Sequence, residues 1–174
     1  MKIAITGATG LIGKALCLRL MKSGHRVIAL VRDPAKVEFL PKDSVHTWKS
    51  DQEFSLEKGL DAFIHLAGEP VVGFRWSVEQ KERILHSRIE STKNVIASIR
   101  ALEPEDRPRV LILASAIGIY GDRGDEELTE ERESGNGFLA EVTKQWEQAA
   151  DEAIDLGIRI VFLRTARLQA RSII

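Results

Sequence analysis

Cysteine and histidine are scarce in this sequence of 174 residues, which has one cysteine, Cys17, and four histidines. One cysteine cannot form an intramolecular disulfide, and no two histidines share a metal-ligand spacing, so we expect neither a disulfide framework nor a metal site. Cys17 lies among apolar residues of a predicted helix, which favours a buried structural thiol over a reactive one. A reducing, cytoplasmic setting fits this cysteine usage.

An excess of charge of one sign and long apolar runs are also lacking. Lys and Arg number 25 against 26 Asp and Glu, for a formal net charge of −1, which predicts neither a nucleic-acid nor a membrane surface. The apolar runs are too short to span a bilayer, and we expect no signal peptide before the first strand. With 29% charged and 44% hydrophobic residues, we expect one globular domain with a substantial core.

A glycine motif near the start of the chain, Thr6-Gly7-Ala8-Thr9-Gly10-Leu11-Ile12-Gly13, lies between an apolar run and a segment of helical periodicity. Gly7 permits a tight turn, Gly10 lets the backbone approach a pyrophosphate, and Gly13 allows the helix to pack closely. The free N–H groups at the helix N-terminus favour an anion. An ordinary glycine-rich turn is the alternative, but the strand before and the helix after favour dinucleotide binding.

Strand and helix patterns alternate along the chain. Strands are predicted over 2–6, 26–31, 45–48, 61–66, 110–113 and 158–163, and helices over 11–23, 77–102 and 138–156, with a short helix or turn at Asp33-Pro34. A long acidic loop over 117–137 precedes the last helix. The alternation predicts an α/β protein with a Rossmann-type doubly wound parallel sheet and helices on both faces.

In such a fold the ligand lies at the carboxyl ends of the strands. Arg32 follows the second strand, where NAD-binding proteins usually carry an acidic residue, and its guanidinium can pair with a 2′-phosphate. We therefore favour NADP over NAD as the cofactor, with a plain surface arginine as the alternative. Asp51, after the third strand, is either an adenine contact or a turn residue. Leu66-Ala67-Gly68-Glu69-Pro70, after the fourth, either contacts the ribose and nicotinamide side or is a plain turn.

Together these motifs resemble the short-chain dehydrogenase/reductase superfamily in its extended, nucleotide-sugar epimerase-like form, from Met1 to about Thr165. The branch that it resembles most is usually named the sugar-nucleotide epimerase family protein. The residues that carry the resemblance are the glycine motif, Leu66-Ala67-Gly68-Glu69-Pro70, Arg75-Trp76, Ser87-Arg88, Ser115-Ala116-Ile117-Gly118-Ile119-Tyr120-Gly121, Leu128-Thr129-Glu130, Trp146-Glu147 and Leu163-Arg164-Thr165. The resemblance implies NADP contacts at Arg32, Leu66, Ala67 and Arg88 besides the glycine turn.

The catalytic residues of the superfamily are a tyrosine and a lysine in Y-x-x-x-K, with a serine that hydrogen-bonds the substrate. The one tyrosine here, Tyr120, has no lysine four residues later. If Lys144 matches the lysine, then Ala140 occupies the tyrosine position, and Ser115 lies one residue from the expected serine position, which is Ala116. We therefore expect the usual mechanism to be absent. The catalytic residues stay unassigned, with Ser115, Tyr120 and Lys144 as candidates.

Extended members of the superfamily continue into a substrate-binding domain, and this sequence departs from their pattern after Thr165. We expect an NAD(P)-binding Rossmann domain over 1–165, a divergent tail over 166–174 and no substrate-binding domain. The resemblance also implies a homodimer through the helices 77–102 and 138–156.

Three functions follow from these expectations. The first is an NADP-binding protein without the usual Tyr–Lys pair. The second is an NADP-dependent oxidoreductase or epimerase that acts on a nucleotide sugar or a similar small molecule. The third is a non-catalytic redox-sensing or dimerisation module.

Overall fold

The sheet is the centre of the fold. The computed structural model describes residues 1–49, 51–52, 54–71 and 76–166. Six parallel strands pair in the order β3-β2-β1-β4-β5-β6. Their bounds are β1 Lys2–Thr6, β2 Arg26–Val31, β3 Val45–Thr47, β4 Ala62–His65, β5 Val110–Ala116 and β6 Arg159–Thr165. The strand order reverses between β1 and β4, which confirms the doubly wound Rossmann-type sheet.

Three α-helices connect the strands: α1 Leu11–Lys22, α2 Val78–Arg100 and α3 Phe138–Gln148. Short 3₁₀ turns lie at Pro34–Lys36, Lys42–Ser44, Pro104–Asp106, Ile117–Tyr120 and Asp151–Ala153. The predicted cap of α2 is confirmed, because the Ser77 hydroxyl accepts a hydrogen bond from the Gln80 N–H at 3.3 Å. The predicted short helix after β2 is also present, and Asp33 caps it by accepting from the Ala35 N–H at 3.2 Å.

Most predicted bounds lie within two residues of the structure, and the ends of one helix and one strand differ by more. The helix predicted over 138–156 ends at Gln148, and a 3₁₀ turn at Asp151–Ala153 follows it. In this segment Ala150 and Ala153 are fully buried, whereas the predicted helix had Ala149 and Ala153 on its apolar face. The strand predicted over 110–113 continues to Ala116, because β6 pairs with it along its whole length.

Helices cover both faces of the sheet, and alternate residues of the strands pack against them. On one face Ile3, Ile5, Val27 and Ile64 pack with residues of α1. On the other face strand residues pack with α2 and with the segment after α3; these include Ala4, Ile28, Phe63, Leu111, Val95, Ile96, Ile99 and Ala153. The predicted arrangement of helices on both faces is therefore confirmed.

Cys17 of α1 lies in the core and is fully buried, as predicted. Burial raises the pKa of its thiol to about 11. Within the described ranges, none of the helices combines the length and the apolar character needed to cross a bilayer. Arg75 of the family-like motifs and residues 167–174 of the predicted tail over 166–174 lie outside the described residues.

Candidate functional site

The glycine turn joins β1 to α1 at the point where the strand order reverses. Gly7 has a φ of +71°, and a Cβ atom on it would lie 2.8 Å from the Leu66 carbonyl carbon. A Cβ atom on Gly13 would lie 2.1 Å from the Gly7 carbonyl oxygen, whereas one on Gly10 would lie 3.2 Å from that oxygen. Gly7 and Gly13 are therefore required by the backbone itself. Gly10 is exposed and caps the N-terminus of α1, where N–H groups are free to meet an anion.

The loop after β4, residues 66–69, runs beside the glycine turn and is anchored at both ends. The Thr6 hydroxyl accepts from the backbone N–H groups of Leu66 and Ala67, at 3.2 and 3.4 Å. The Ser87 hydroxyl of α2 accepts from the Glu69 N–H at 3.0 Å. These bonds fix the loop against β1 on one side and against α2 on the other.

His65 at the end of β4 links the same elements from inside the core. Its Nδ1 lies 2.6 Å from the Thr6 Oγ1, and its Nε2 lies 3.0 Å from the Ser91 Oγ. The Ser91 hydroxyl donates to the Ser87 carbonyl at 2.6 Å, so it accepts from the imidazole, and Thr6 donates to Nδ1. Complete burial lowers the pKa of His65 to about 3, which keeps the ring neutral. Sequence reasoning treated His65 only as a strand residue.

A cleft of about 460 Å³ opens where these elements meet, at the carboxyl ends of the strands. Seven of the predicted cofactor residues line it: Gly7, Thr9, Gly10, Arg32, Leu66, Ala67 and Gly68. Leu11, Ile12 and Gly13 form the adjoining first turn of α1. The lining also includes Trp48, Arg83, His86 and Ser87, which were not predicted to contact the cofactor, although Ser87 belongs to the family-like motifs. Three of these residues lie on α2, and only the tertiary fold brings this helix next to the cleft.

Arg88 lies behind the loop that follows β4. Its guanidinium carbon would be 3.3 Å from a Cβ atom on Gly68, so the absence of a side chain there makes room for it. The guanidinium lies 5.0 Å from the Trp146 ring centroid and donates to the Ile84 carbonyl at 3.0 Å. Burial lowers the pKa of Arg88, and the Glu69 carboxylate partly opposes this shift. Arg88 thus supports the loop from α2.

Two of the three catalytic candidates belong to one hydrogen-bond network. The Ser115 hydroxyl donates to the Glu147 carboxylate at 2.5 Å, and the Tyr120 hydroxyl accepts from the Arg164 Nη1 at 2.8 Å. Arg164 in turn donates to both oxygens of Glu147, at 2.9 and 2.8 Å. These hydrogen bonds raise the pKa of Arg164 above its ordinary value, and Glu147 is the main cause. Both candidate hydroxyl groups are thus engaged within the protein.

The third candidate, Lys144, is exposed on α3, and Ala140 one turn earlier is buried. Glu147 and Arg164 were quoted from the sequence as family-like residues without a role. Their partnership joins α3 to β6, and no spacing along the chain indicates it. Among the described residues, no group of three or more His, Cys, Asp or Glu side chains is placed to hold a metal ion.

A parallel sheet in this strand order, with a glycine turn and a cleft at its switch point, defines the Rossmann class of fold. A family model described as the NAD dependent epimerase/dehydratase family matches residues 3–165. The chain therefore belongs to that family, and the resemblance seen in the sequence is confirmed.

Similar proteins support this membership. The chain is 36% identical to the chloroplastic epimerase family protein SDR39U1 homolog of Arabidopsis thaliana, over 94% of this chain and 48% of the relative. Among solved structures it is 39% identical, with a TM-score of 0.77, to a nucleoside-diphosphate sugar epimerase from Corynebacterium glutamicum, over 94% of this chain and 33% of that one. It is 27% identical, with a TM-score of 0.78, to human epimerase family protein SDR39U1 (isoform 2) with NADPH, over 94% and 53% of the two chains. The chain thus spans about half the length of the curated relative.

Proposed function

We propose that this chain is an NADP-binding protein of the nucleotide-sugar epimerase-like type that lacks the usual Tyr–Lys catalytic pair. The observation that carries the proposal is the position of Arg32, which is exposed at the end of β2 and lines the same cleft as the glycine turn. A guanidinium there complements a 2′-phosphate, whereas NAD-binding proteins place a carboxylate there for the 2′-hydroxyl. The NADPH in the similar human structure supports this choice of cofactor.

In this proposal, different parts of the cleft contact different parts of the cofactor. The exposed backbone at Thr9 and Gly10, with the N-terminus of α1, faces the pyrophosphate. The anchored loop after β4 lies along the ribose and nicotinamide side, and Arg88 supports it from behind. The proposed cofactor residues are Gly7, Thr9, Gly10, Leu11, Ile12, Gly13, Arg32, Leu66, Ala67, Gly68 and Arg88.

Titration calorimetry with NADPH and NADH tests the proposal. Loss of one charge-assisted contact in Arg32→Ala should weaken NADPH binding by about 10- to 100-fold and leave NADH binding within about twofold. Arg159→Ala is the matched control, because Arg159 is exposed at the opposite end of the sheet, where β6 begins. Failure of NADPH to bind would overturn the proposal, and equal binding of both cofactors by the unaltered chain would overturn the assignment of Arg32.

A second candidate is an NADP-dependent oxidoreductase or epimerase acting on a nucleotide sugar. The similar protein from Corynebacterium glutamicum is a nucleoside-diphosphate sugar epimerase, and the hydrogen-bond network includes Ser115 of β5 and Tyr120 of the 3₁₀ turn after it, which supports this candidate. A substrate would have to replace Glu147 at the Ser115 hydroxyl and Arg164 at the Tyr120 hydroxyl. Turnover of a panel of nucleotide sugars that is lost in Tyr120→Phe would favour this candidate over the first.

A third candidate is a non-catalytic redox-sensing or dimerisation module in the cytoplasm. α2 and α3 pack next to each other on one face of the sheet, which suits a homodimer formed through both helices. Light scattering after gel filtration, with and without NADPH, tests it. A monomer under both conditions would remove the dimerisation form of this candidate.

A further inference from the structure

A second arginine lines the cleft that holds Arg32, and it comes from a different element. Arg83 lies in the second turn of α2, whereas Arg32 follows the end of β2. Both side chains are exposed, and Leu30, Val31 and Trp48 line the same cleft beside them. Both arginines therefore line one cleft, Arg32 from a strand end and Arg83 from a helix.

The Arg83 guanidinium is oriented by a buried neighbour on its own helix. The Gln80 Oε1 accepts from both the Nε and the Nη2 of Arg83, at 3.2 and 2.5 Å. Gln80 is only 2% exposed, so its amide oxygen is a fixed acceptor. Its amide nitrogen is buried without a hydrogen-bond partner among the described residues. Gln80 thus holds one edge of the guanidinium and leaves the Nη1 donors of Arg83 for a ligand.

Among the residues that the structure describes, neither arginine is paired with a close carboxylate. In the described part of the chain, no carboxylate lies within 4.0 Å of the guanidinium of Arg32 or of Arg83. Glu79, on the first turn of α2, is a charged neighbour of Arg83 at longer range. Arg164 differs from both, because Glu147 pairs with it through two hydrogen bonds. Glu69 also lines the cleft, but among the described residues it forms no ion pair with Arg32 or Arg83, so both positive charges remain for an anion.

We propose that Arg83 is a second specificity-determining residue, which binds the adenosine 2′-phosphate together with Arg32. This inference rests on the proposed function. A phosphate monoester carries up to two negative charges and three acceptor oxygens, so two guanidinium groups from separate elements can each donate a pair of hydrogen bonds to it. A bare 2′-hydroxyl offers neither the charge nor the number of acceptors. Gln80 acts as a positioning residue, since it meets the ligand only through Arg83.

The test compares Arg83→Gln with the unaltered chain by calorimetry, using NADPH, NADH and the fragment 2′,5′-ADP. We expect NADPH and 2′,5′-ADP to bind about 10- to 100-fold more weakly, because one charge-assisted contact is lost, while NADH binding stays within about twofold. Arg159→Gln is the matched control and should bind all three as the unaltered chain does. Circular dichroism of the exposed-site variants checks that both remain folded.

The possible results distinguish a failure of this inference from a failure of the proposed function. If the unaltered chain prefers NADPH and Arg83→Gln keeps that preference, the role of Arg83 is overturned while NADP binding stands. If Arg83→Gln weakens NADPH and NADH equally, Arg83 contacts a part common to both cofactors, and the role at the 2′-phosphate is overturned. If the unaltered chain binds neither cofactor, the proposed function itself fails.

Discussion

Arg164 donates two hydrogen bonds to the carboxylate of Glu147, at 2.9 and 2.8 Å, and these bonds connect the end of β6 to α3. Arg164 also donates to the Tyr120 hydroxyl, and the Ser115 hydroxyl donates to Glu147. The two side chains are only 23% and 12% exposed, so water screens their attraction weakly. The pair therefore lies in direct contact with two of the three catalytic candidates.

A double-mutant cycle should show strong coupling between Arg164 and Glu147. We expect Arg164→Met and Glu147→Gln, measured by urea unfolding, to give an interaction free energy of about 1–3 kcal/mol. The exposed pair Arg100–Glu152 is the control, with side chains 50% and 60% exposed, and should couple by less than about 1 kcal/mol. Equal coupling in the two cycles would show that the Arg164 pair is an ordinary surface contact.

Two glycines of the same turn should respond differently to an added methyl group. In Gly13→Ala the new Cβ would lie 2.1 Å from the Gly7 carbonyl oxygen, so the turn has to move, at a cost of about 1–3 kcal/mol in the free energy of unfolding. In Gly10→Ala the nearest atom is the same oxygen, 3.2 Å away, so a smaller shift suffices and the loss of stability should be smaller than in Gly13→Ala. Gly10→Ala should nevertheless weaken NADPH binding, because we propose that the pyrophosphate contacts the backbone at Gly10. Denaturant melts and calorimetry on both variants check this, and a fully stable Gly13→Ala would contradict it.

Acid should destabilise the protein through His65. Burial lowers its pKa to about 3 in the folded state, and an unfolded histidine has a pKa of about 6.5. The unfolded chain therefore takes up the proton first, so this contribution to stability is complete above about pH 6.5 and is lost progressively as the pH falls towards about 3. The slope from this one group can reach about 1.4 kcal/mol per pH unit.

Unfolding titrations between pH 7 and pH 5 measure that slope above the range in which most carboxylates titrate. In His65→Asn the free energy of unfolding should depend less on pH, and it should be lower than in the unaltered chain at pH 7. His46→Asn is the control, because His46 is exposed beside the Glu57 carboxylate, at 3.2 Å, and its loss should leave the downward slope in place. An unchanged slope in His65→Asn would contradict the prediction.

The sequence predicted the features that depend only on short stretches of the chain. β1 and β2 have the predicted bounds, since each apolar run ends at a clear polar or glycine boundary. The glycine turn and Arg32 could be placed at the cleft because both directly follow strands. The ends of β5 and α3 were missed, because pairing with β6 and packing of Ala150 and Ala153 decide them.

The site residues that the sequence missed are joined across the fold. Thr6, His65 and Ser91 come from β1, β4 and α2, and no spacing along the chain brings them together. The contact of Gln80 with Arg83 differs, because the two lie three residues apart on one helix. That spacing was visible in the sequence, but the direction in which the pair points depends on how α2 packs.

The buried Cys17 has a practical consequence for experiments on this chain. With the pKa of its thiol at about 11, roughly one thiol in ten thousand is ionised at pH 7, and maleimide reagents attack the ionised form. A cysteine introduced at an exposed position such as Arg159 would therefore be the one readily labelled thiol in a chain with a single native cysteine. Because that position lies at the end of the sheet opposite the cleft, a fluorophore attached there would label the chain away from the cleft and without removal of a core residue.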